Sequence, residues 1–139
     1  MKILFVCKYN AFRSRVTEEY FRKINKNRNV SVLGSRGIIM GGNSDTAQRE
    51  VSRKILGVNI AKRKPLPLKI KDMKEADRII VVANDIPKVI FNYWNAPIMK
   101  KIVIWEIKDE QKRNKRNIRK IVLAIKRKID RLNKKLRRK

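Results

Sequence analysis

The sequence predicts a three-layer α/β domain, and three observations carry that prediction. Four short runs are apolar and rich in β-branched residues, the segments between them carry apolar residues at helical spacing, and the two kinds alternate along the chain. Continuous apolar runs mark strands covered on both faces, as in a parallel sheet. Alternation of strand and helix then implies right-handed βαβ units with helices on the faces of the sheet. A chain of 139 residues fits one compact domain with a proper core, so residues 1–139 are expected to form a single unit.

The elements follow in order. Strands are expected at Ile3 to Val6, Val30 to Leu33, Ile79 to Val82 and Ile102 to Ile107. The first helix follows Arg13 and aligns Val16, Tyr20, Phe21 and Ile24. The second covers roughly Asp45 to Leu56, with Gly57 as its stop. The segment KRKPLPLKIKDMKEAD holds two prolines and reads as a loop with at most one short helix. A third helix begins near Asp85, with Pro87 in its first turn and Val89, Ile90 and Tyr93 as apolar positions. The last and longest starts after Asp109 and sets Ile118, Ile121, Val122, Ile125, Ile129, Leu132 and Leu136 on one stripe.

Composition narrows the chemistry. With 38 Lys and Arg against 12 Asp and Glu, the formal charge is +26, which favours anionic partners. The chain has no His, so Ser-His-Asp and Cys-His nucleophile pairs and His-containing metal sites are excluded. Any acid or base must be a carboxylate, Lys or Tyr, and nothing asks for a metal or a cofactor. The one Cys allows no internal disulfide, which fits a cytoplasmic protein. Met1 leads straight into KILFVC, so no signal peptide is expected, and no apolar run approaches the length of a membrane span.

That single thiol, Cys7, ends the first strand. In an open parallel sheet, ligands bind beyond the carboxyl ends of the strands, where the loop feeds the next helix. The loop from Lys8 to Phe12 leads into a helix whose first turn contains Arg13 and Ser14, so backbone N–H groups and the positive end of the helix dipole converge on one spot. Such surroundings favour the reactive thiolate. Arg13 adds a planar fork suited to phosphate oxygens. Asn10 is among the few residue types that accept a left-handed backbone, which tight anion-binding loops require. Spacing alone leaves a second reading open, with Cys7 a small core residue and Arg13 a solvated helix residue.

CKYNAFRS, with ILFV before it and VTEEYF soon after, resembles the phosphate-binding loop of the low-molecular-weight protein tyrosine phosphatases. That pattern is Cys, two residues, Asn, two residues, Arg, Ser. The resemblance continues through Val32-Leu33-Gly34-Ser35-Arg36-Gly37, through AQREVSRKILGVNIAKRKPLPL (Ala47 to Leu68), and through KEADRIIVVAND. It implies a four-stranded parallel sheet of the phosphotyrosine phosphatase I-like type and hydrolysis of phosphomonoesters through a phosphocysteine. By that resemblance Cys7 attacks phosphorus and Arg13 holds the transferring oxygens, together with the loop N–H groups of Lys8, Tyr9, Asn10, Ala11 and Phe12. Ser14 donates a hydrogen bond to the thiolate, and Asn10 fixes the loop. An Asp after the last strand is the implied acid, and Asp109 in IWEIKDEQ takes that place, with Glu106 and Glu110 nearby. Asp109 can also be read as the N-cap of the last helix, a role that could coexist with the catalytic one. The partners implied are a phosphorylated protein or small phosphomonoester, with inorganic phosphate or a similar oxyanion in the loop.

The chain departs from the pattern at Tyr9 and Phe12, where the family often has Gly and a second Cys, and at Glu110 and Gln111 after the acid. No second thiol shields Cys7 from over-oxidation. Phosphotyrosine specificity is left open; Tyr9, Ile38, Ile39, Met40, Tyr93 and Trp94 read either as a replacement pocket or as core and surface. A related arsenate reductase chemistry needs further cysteines. A binding module is the rival class, either a phosphatase-like fold that holds phosphate without turnover or a nucleic-acid binder. From Lys112 to Lys139 there are 15 Lys or Arg and one acidic residue, Asp130, but no nucleic-acid-binding signature.

Overall fold

A computed structural model describes residues 1–39, 41–93, 96–109 and 114–137; for Lys88, Asn92, Tyr93, Ala96 and Pro97 the description is of the backbone alone. The strands β1 (Lys2–Cys7), β2 (Ser31–Gly37), β3 (Arg78–Val82) and β4 (Ile102–Trp105) run parallel in the order β2-β1-β3-β4. β1 is apolar from Ile3 to Cys7 because both of its faces are covered there. Ile3 and Phe5 join the cluster formed by α1 (Arg13–Ile24), α2 (Thr46–Leu56) and α5 (Lys115–Arg137). Leu4, Val6 and Cys7 join the cluster with α3 (Ile70–Glu75), a short 3-10 helix (Lys88–Tyr93) and α4 (Ala96–Met99). The result is the three-layer α/β/α arrangement with four parallel strands that the sequence predicts. Among the described residues, no helix is long and apolar enough to cross a membrane.

The apolar stripe of α5 is buried from Ile118 to Leu136, as its spacing predicts. Gly57 ends α2 at φ 67°, a left-handed cap whose N–H returns to the Arg53 carbonyl at 2.9 Å. Asp45 caps the start of α2 through Gln48.

Several boundaries differ from expectation, each for a physical reason. β2 starts at Ser31 and continues through Gly34-Ser35-Arg36-Gly37, because those residues pair with Leu4 to Cys7 and tertiary pairing overrides a composition poor in strand formers. β4 stops at Trp105, where the Ile107 N–H turns back onto the Trp105 carbonyl at 2.7 Å. The helix expected near Asp85 is two short pieces. A helix running on from Lys88 would put Pro97 in its interior, where the ring clashes with the preceding turn; Pro97 instead falls in the first turn of α4. α5 begins at Lys115 rather than just after Asp109, and its cap is Asn114, whose side chain accepts from the Asn117 N–H at 2.9 Å.

Two features of this architecture place the site. The chain passes outward from β1 to β2 and then crosses back to β3, so a crevice opens beyond the carboxyl ends of β1 and β3. The end of β2 is covered by the loop at 65–68: Gly37 donates to the Leu66 carbonyl and accepts from Leu68, both at 2.8 Å.

Candidate active site

Cys7 is buried at the end of β1 with its sulfur turned into the loop that follows. The Ser14 Oγ lies 2.9 Å from Sγ, and the N–H groups of Asn10 and Ser14 point to it at 3.3 and 3.4 Å. Phe12 occupies the cap position of α1 without a side-chain hydrogen bond, so no side chain of the cap competes with an anion for the first turn of the helix. Negative charge on this sulfur is therefore met by donors from loop and helix alike.

Asn10 makes the turn possible. It has φ 57°, the left-handed conformation its residue type tolerates. Its side-chain amide donates to Ser14 Oγ at 2.7 Å and Ser35 Oγ at 2.8 Å, and its carbonyl accepts from the Leu66 N–H at 3.0 Å and from Arg63 at 3.3 Å. Close contact with Gly37 fixes the loop from the other side. A Cβ on Gly37 would lie 2.6 Å from the Tyr9 carbonyl carbon and 2.8 Å from the Asn10 nitrogen, so only glycine lets β2 approach the loop backbone.

Arg13 is buried and held as a fork. Its two terminal nitrogens meet the Asp85 carboxylate at 3.1 and 3.2 Å, and one of them also donates to the Ile107 carbonyl at 3.0 Å. The ends of β3 and β4 thus set the plane of the guanidinium. Beneath the loop, Glu18 receives Arg15 at 2.6 Å, Ser35 at 2.7 Å, Arg63 at 2.8 Å and Arg22 at 3.0 Å. Burial alone would raise the Glu18 carboxyl, but the Ser35 hydrogen bond and the charges of Arg63 and Arg15 outweigh it and hold the group below its ordinary value. For Arg63 burial dominates and pushes the guanidinium down, with Glu18 opposing.

Cys7, Tyr9, Ala11, Phe12, Arg13 and Asp109 line one cleft of about 280 Å³, closed on its far side by Gly41, Gly42, Asn43 and Gln48. The other sequence-predicted residues lie around it: Asn10 and Ser14 are buried beneath, and Lys8 places its ammonium 5.2 Å over the Tyr9 ring. Asp109 faces the cleft and is not the cap of α5, which corrects that reading. Glu106 lines a separate cavity with Phe91 and Met99 and does not reach the cleft. Of the replacement-pocket candidates, Tyr9 is in the wall, whereas Ile38 packs against the second core cluster and Ile39 is exposed. Met40, Trp94 and Glu110 lie outside the described residues, as does the side chain of Tyr93.

The sequence reading missed Asp85, Ser35, Arg63 and Gly37. Asp85 was findable, since it follows β3 as the phosphate loop follows β1, at the same end of the sheet. Ser35 and Gly37 lay in a matched segment without a role attached. Arg63 was hidden inside a run of cations.

A family model described as low molecular weight phosphotyrosine protein phosphatase matches residues 2–139. The chain belongs to that family. It is accordingly a cysteine-based phosphatase. Solved structures agree in fold. The low molecular weight protein tyrosine phosphatase of T. tengcongensis is 22% identical, with a TM-score of 0.83, covering 97% of this chain and 99% of its own. The YwlE arginine phosphatase, in a mutant with a phosphorylated active-site serine, is 19% identical at TM-score 0.84, covering 99% and 96%. The tyrosine phosphatase Wzb from Escherichia coli K30, in complex with sulphate, is 16% identical at TM-score 0.81, covering 97% of both chains. No curated protein matches by sequence comparison.

Proposed function

We propose that this family member hydrolyses phosphomonoesters on proteins through Cys7, Arg13 and Asp109, with aryl phosphates preferred. The observation that carries the reading is the set of donors on one sulfur, Ser14 Oγ at 2.9 Å with two loop N–H groups, at the floor of a cleft that also holds Arg13 and Asp109. The Cys7 thiolate attacks phosphorus, an S–P bond forms, and the P–O bond to the leaving group breaks. Asp109 gives its proton to the departing oxygen. The Asp109 carboxylate then takes a proton from water, whose oxygen attacks phosphorus, and the S–P bond breaks to release inorganic phosphate and the thiolate. The phosphate oxygens rest on Arg13 and on the N–H groups of residues 8–12, with Ser14 donating to sulfur as the leaving group of the second step.

The aryl preference rests on the wall. An exposed Tyr9 ring lines the cleft beside Gly41 and Gly42 and offers a flat group an aromatic surface to pack against. The site draws on positions 7 to 109 and α5 closes the core behind it, so residues 1–139 act as one domain. A lone thiol suits the reducing cytoplasm. The nucleic-acid reading rests on the charge of α5 and leaves the donors around Cys7 without a purpose.

Turnover of an aryl phosphate by wild type and by Cys7→Ser tests the reading. Wild type should show hydrolysis and a phosphorylated enzyme on rapid quench, and Cys7→Ser neither turnover nor loss of fold. Retained turnover in Cys7→Ser would remove the claim. Asp109→Asn should slow poor leaving groups such as phenyl phosphate by roughly 10² to 10⁴ and nitrophenyl phosphate much less; an equal loss for both would displace Asp109 as the acid.

A further inference from the structure

We propose that a second, basic groove beside the phosphate loop binds acidic residues flanking the phosphorylated residue of a protein substrate, an inference that rests on the phosphatase reading above. The groove, about 360 Å³, contains Arg49, Lys62, Arg63 and Lys64, and no carboxylate is among its described lining residues. Its volume lies within the range of ligand pockets. Ala11 and Asn43 line both this groove and the cleft that holds Cys7, so the two share a wall. A chain whose phosphorylated side chain enters the cleft passes over Ala11 and Asn43 into the groove.

The cations there are available. Arg49 bonds neutral oxygens, the Ser44 carbonyl and the Thr46 hydroxyl. Lys62 makes a long pair with Glu19 at 3.7 Å while 70% exposed, a contact of small worth. Lys64 is exposed, and among the described residues no ion pair holds it. Arg63 is committed downward to Glu18 and Asn10, which fixes the groove floor to the phosphate loop. Carboxylates on an extended segment supply the charge that Arg49, Lys62 and Lys64 lack. A net charge of +26 would attract any acidic peptide, so the test has to separate groove from bulk.

The experiment uses two phosphotyrosine peptides, identical but for glutamates or glutamines on both sides of the phosphotyrosine, and p-nitrophenyl phosphate as a flankless control. Wild type should show a KM about tenfold lower for the glutamate peptide. The double variant Lys62→Glu/Lys64→Glu should abolish that preference and change kcat/KM for p-nitrophenyl phosphate less than twofold. Lys62→Gln/Lys64→Gln, milder for folding, should shrink the preference about threefold. Arg119→Glu/Arg131→Glu on α5 changes net charge equally and should leave the preference intact. Equal effects of the groove and α5 variants would assign the attraction to overall charge and overturn the proposal, as would equal KM values for the two peptides in wild type. Competition by duplex RNA that is lost only in the groove variants, without any peptide preference, would assign the groove to nucleic acid instead. Wild type inert on all three substrates would sink the phosphatase reading itself, a distinct result.

Discussion

At φ 57°, Asn10 holds a backbone conformation that costs an ordinary side chain about 1–2 kcal/mol, and its amide ties Ser14, Ser35 and Leu66 to the loop. Asn10→Ala keeps the strain and loses those bonds, whereas Asn10→Gly loses the bonds and relieves the strain. In urea titrations the alanine variant should be less stable than wild type by roughly 2–4 kcal/mol and the glycine variant should recover about 1 kcal/mol of that; equal losses would mean that the turn is unstrained. Asp85 poses the question of how Arg13 is aimed. Asp85→Asn replaces the charged two-oxygen partner of the fork with one neutral acceptor beside the Ile107 carbonyl, so kcat/KM for an aryl phosphate should fall tenfold or more, while Cys7 still reacts with iodoacetamide. Full activity would show that the Ile107 carbonyl suffices. Cys7, Asn10, Arg13 and Ser14 were legible because they sit within eight residues of one another on either side of a strand end. Asp85, Ser35 and Arg63 reach the loop from 72, 25 and 53 residues away, and only the fold sets those distances.

Elements were legible wherever an apolar period ran long enough, as in β1 and α5, and illegible where pairing rather than composition decided, as at Ser35 and Gly37 of β2. Gly37 tests the consequence. Gly37→Ala must push β2 away from the Tyr9 and Asn10 backbone, so the loop should loosen, with turnover lost by tenfold or more and stability by about 1–3 kcal/mol. Normal turnover would mean the strand gives way without moving the loop. The cap of α5 separates stability from chemistry at the same scale. Asn114→Ala should cost about 1 kcal/mol of stability with turnover preserved, and Asp109→Asn the reverse. A drop in melting temperature for Asp109→Asn larger than for Asn114→Ala would return Asp109 to a structural role.

Across the whole molecule, acid should act through two carboxyls. Glu18 lies below its ordinary value of 4.5 for the reasons given above; at Asp130 burial raises the group, but hydrogen bonds from Lys126 and Tyr20 prevail and hold it below 3.8. A carboxyl lowered by folding contributes stability at any pH above its unfolded value and loses it as pH falls through the folded one. The contribution of these two groups should therefore be flat above about pH 5 and decline below it, and Glu18→Gln should flatten part of that decline while lowering stability at neutral pH. An unchanged acid limb in the variant would remove Glu18 from the account. The net charge, read at once from composition, fixed neither fold nor site; only the placement of Lys62 and Lys64 beside Ala11 gives part of it a direction. Finally, the bond from Arg13 to the Ile107 carbonyl spans 94 residues. At synthesis rates of about 5–20 residues per second, the thiol leaves the ribosome's decoding centre roughly 5 to 20 seconds before the last strand that orients its arginine exists. The arrangement that holds Arg13 can therefore be complete only after β4 and the turn to Ile107 have been made.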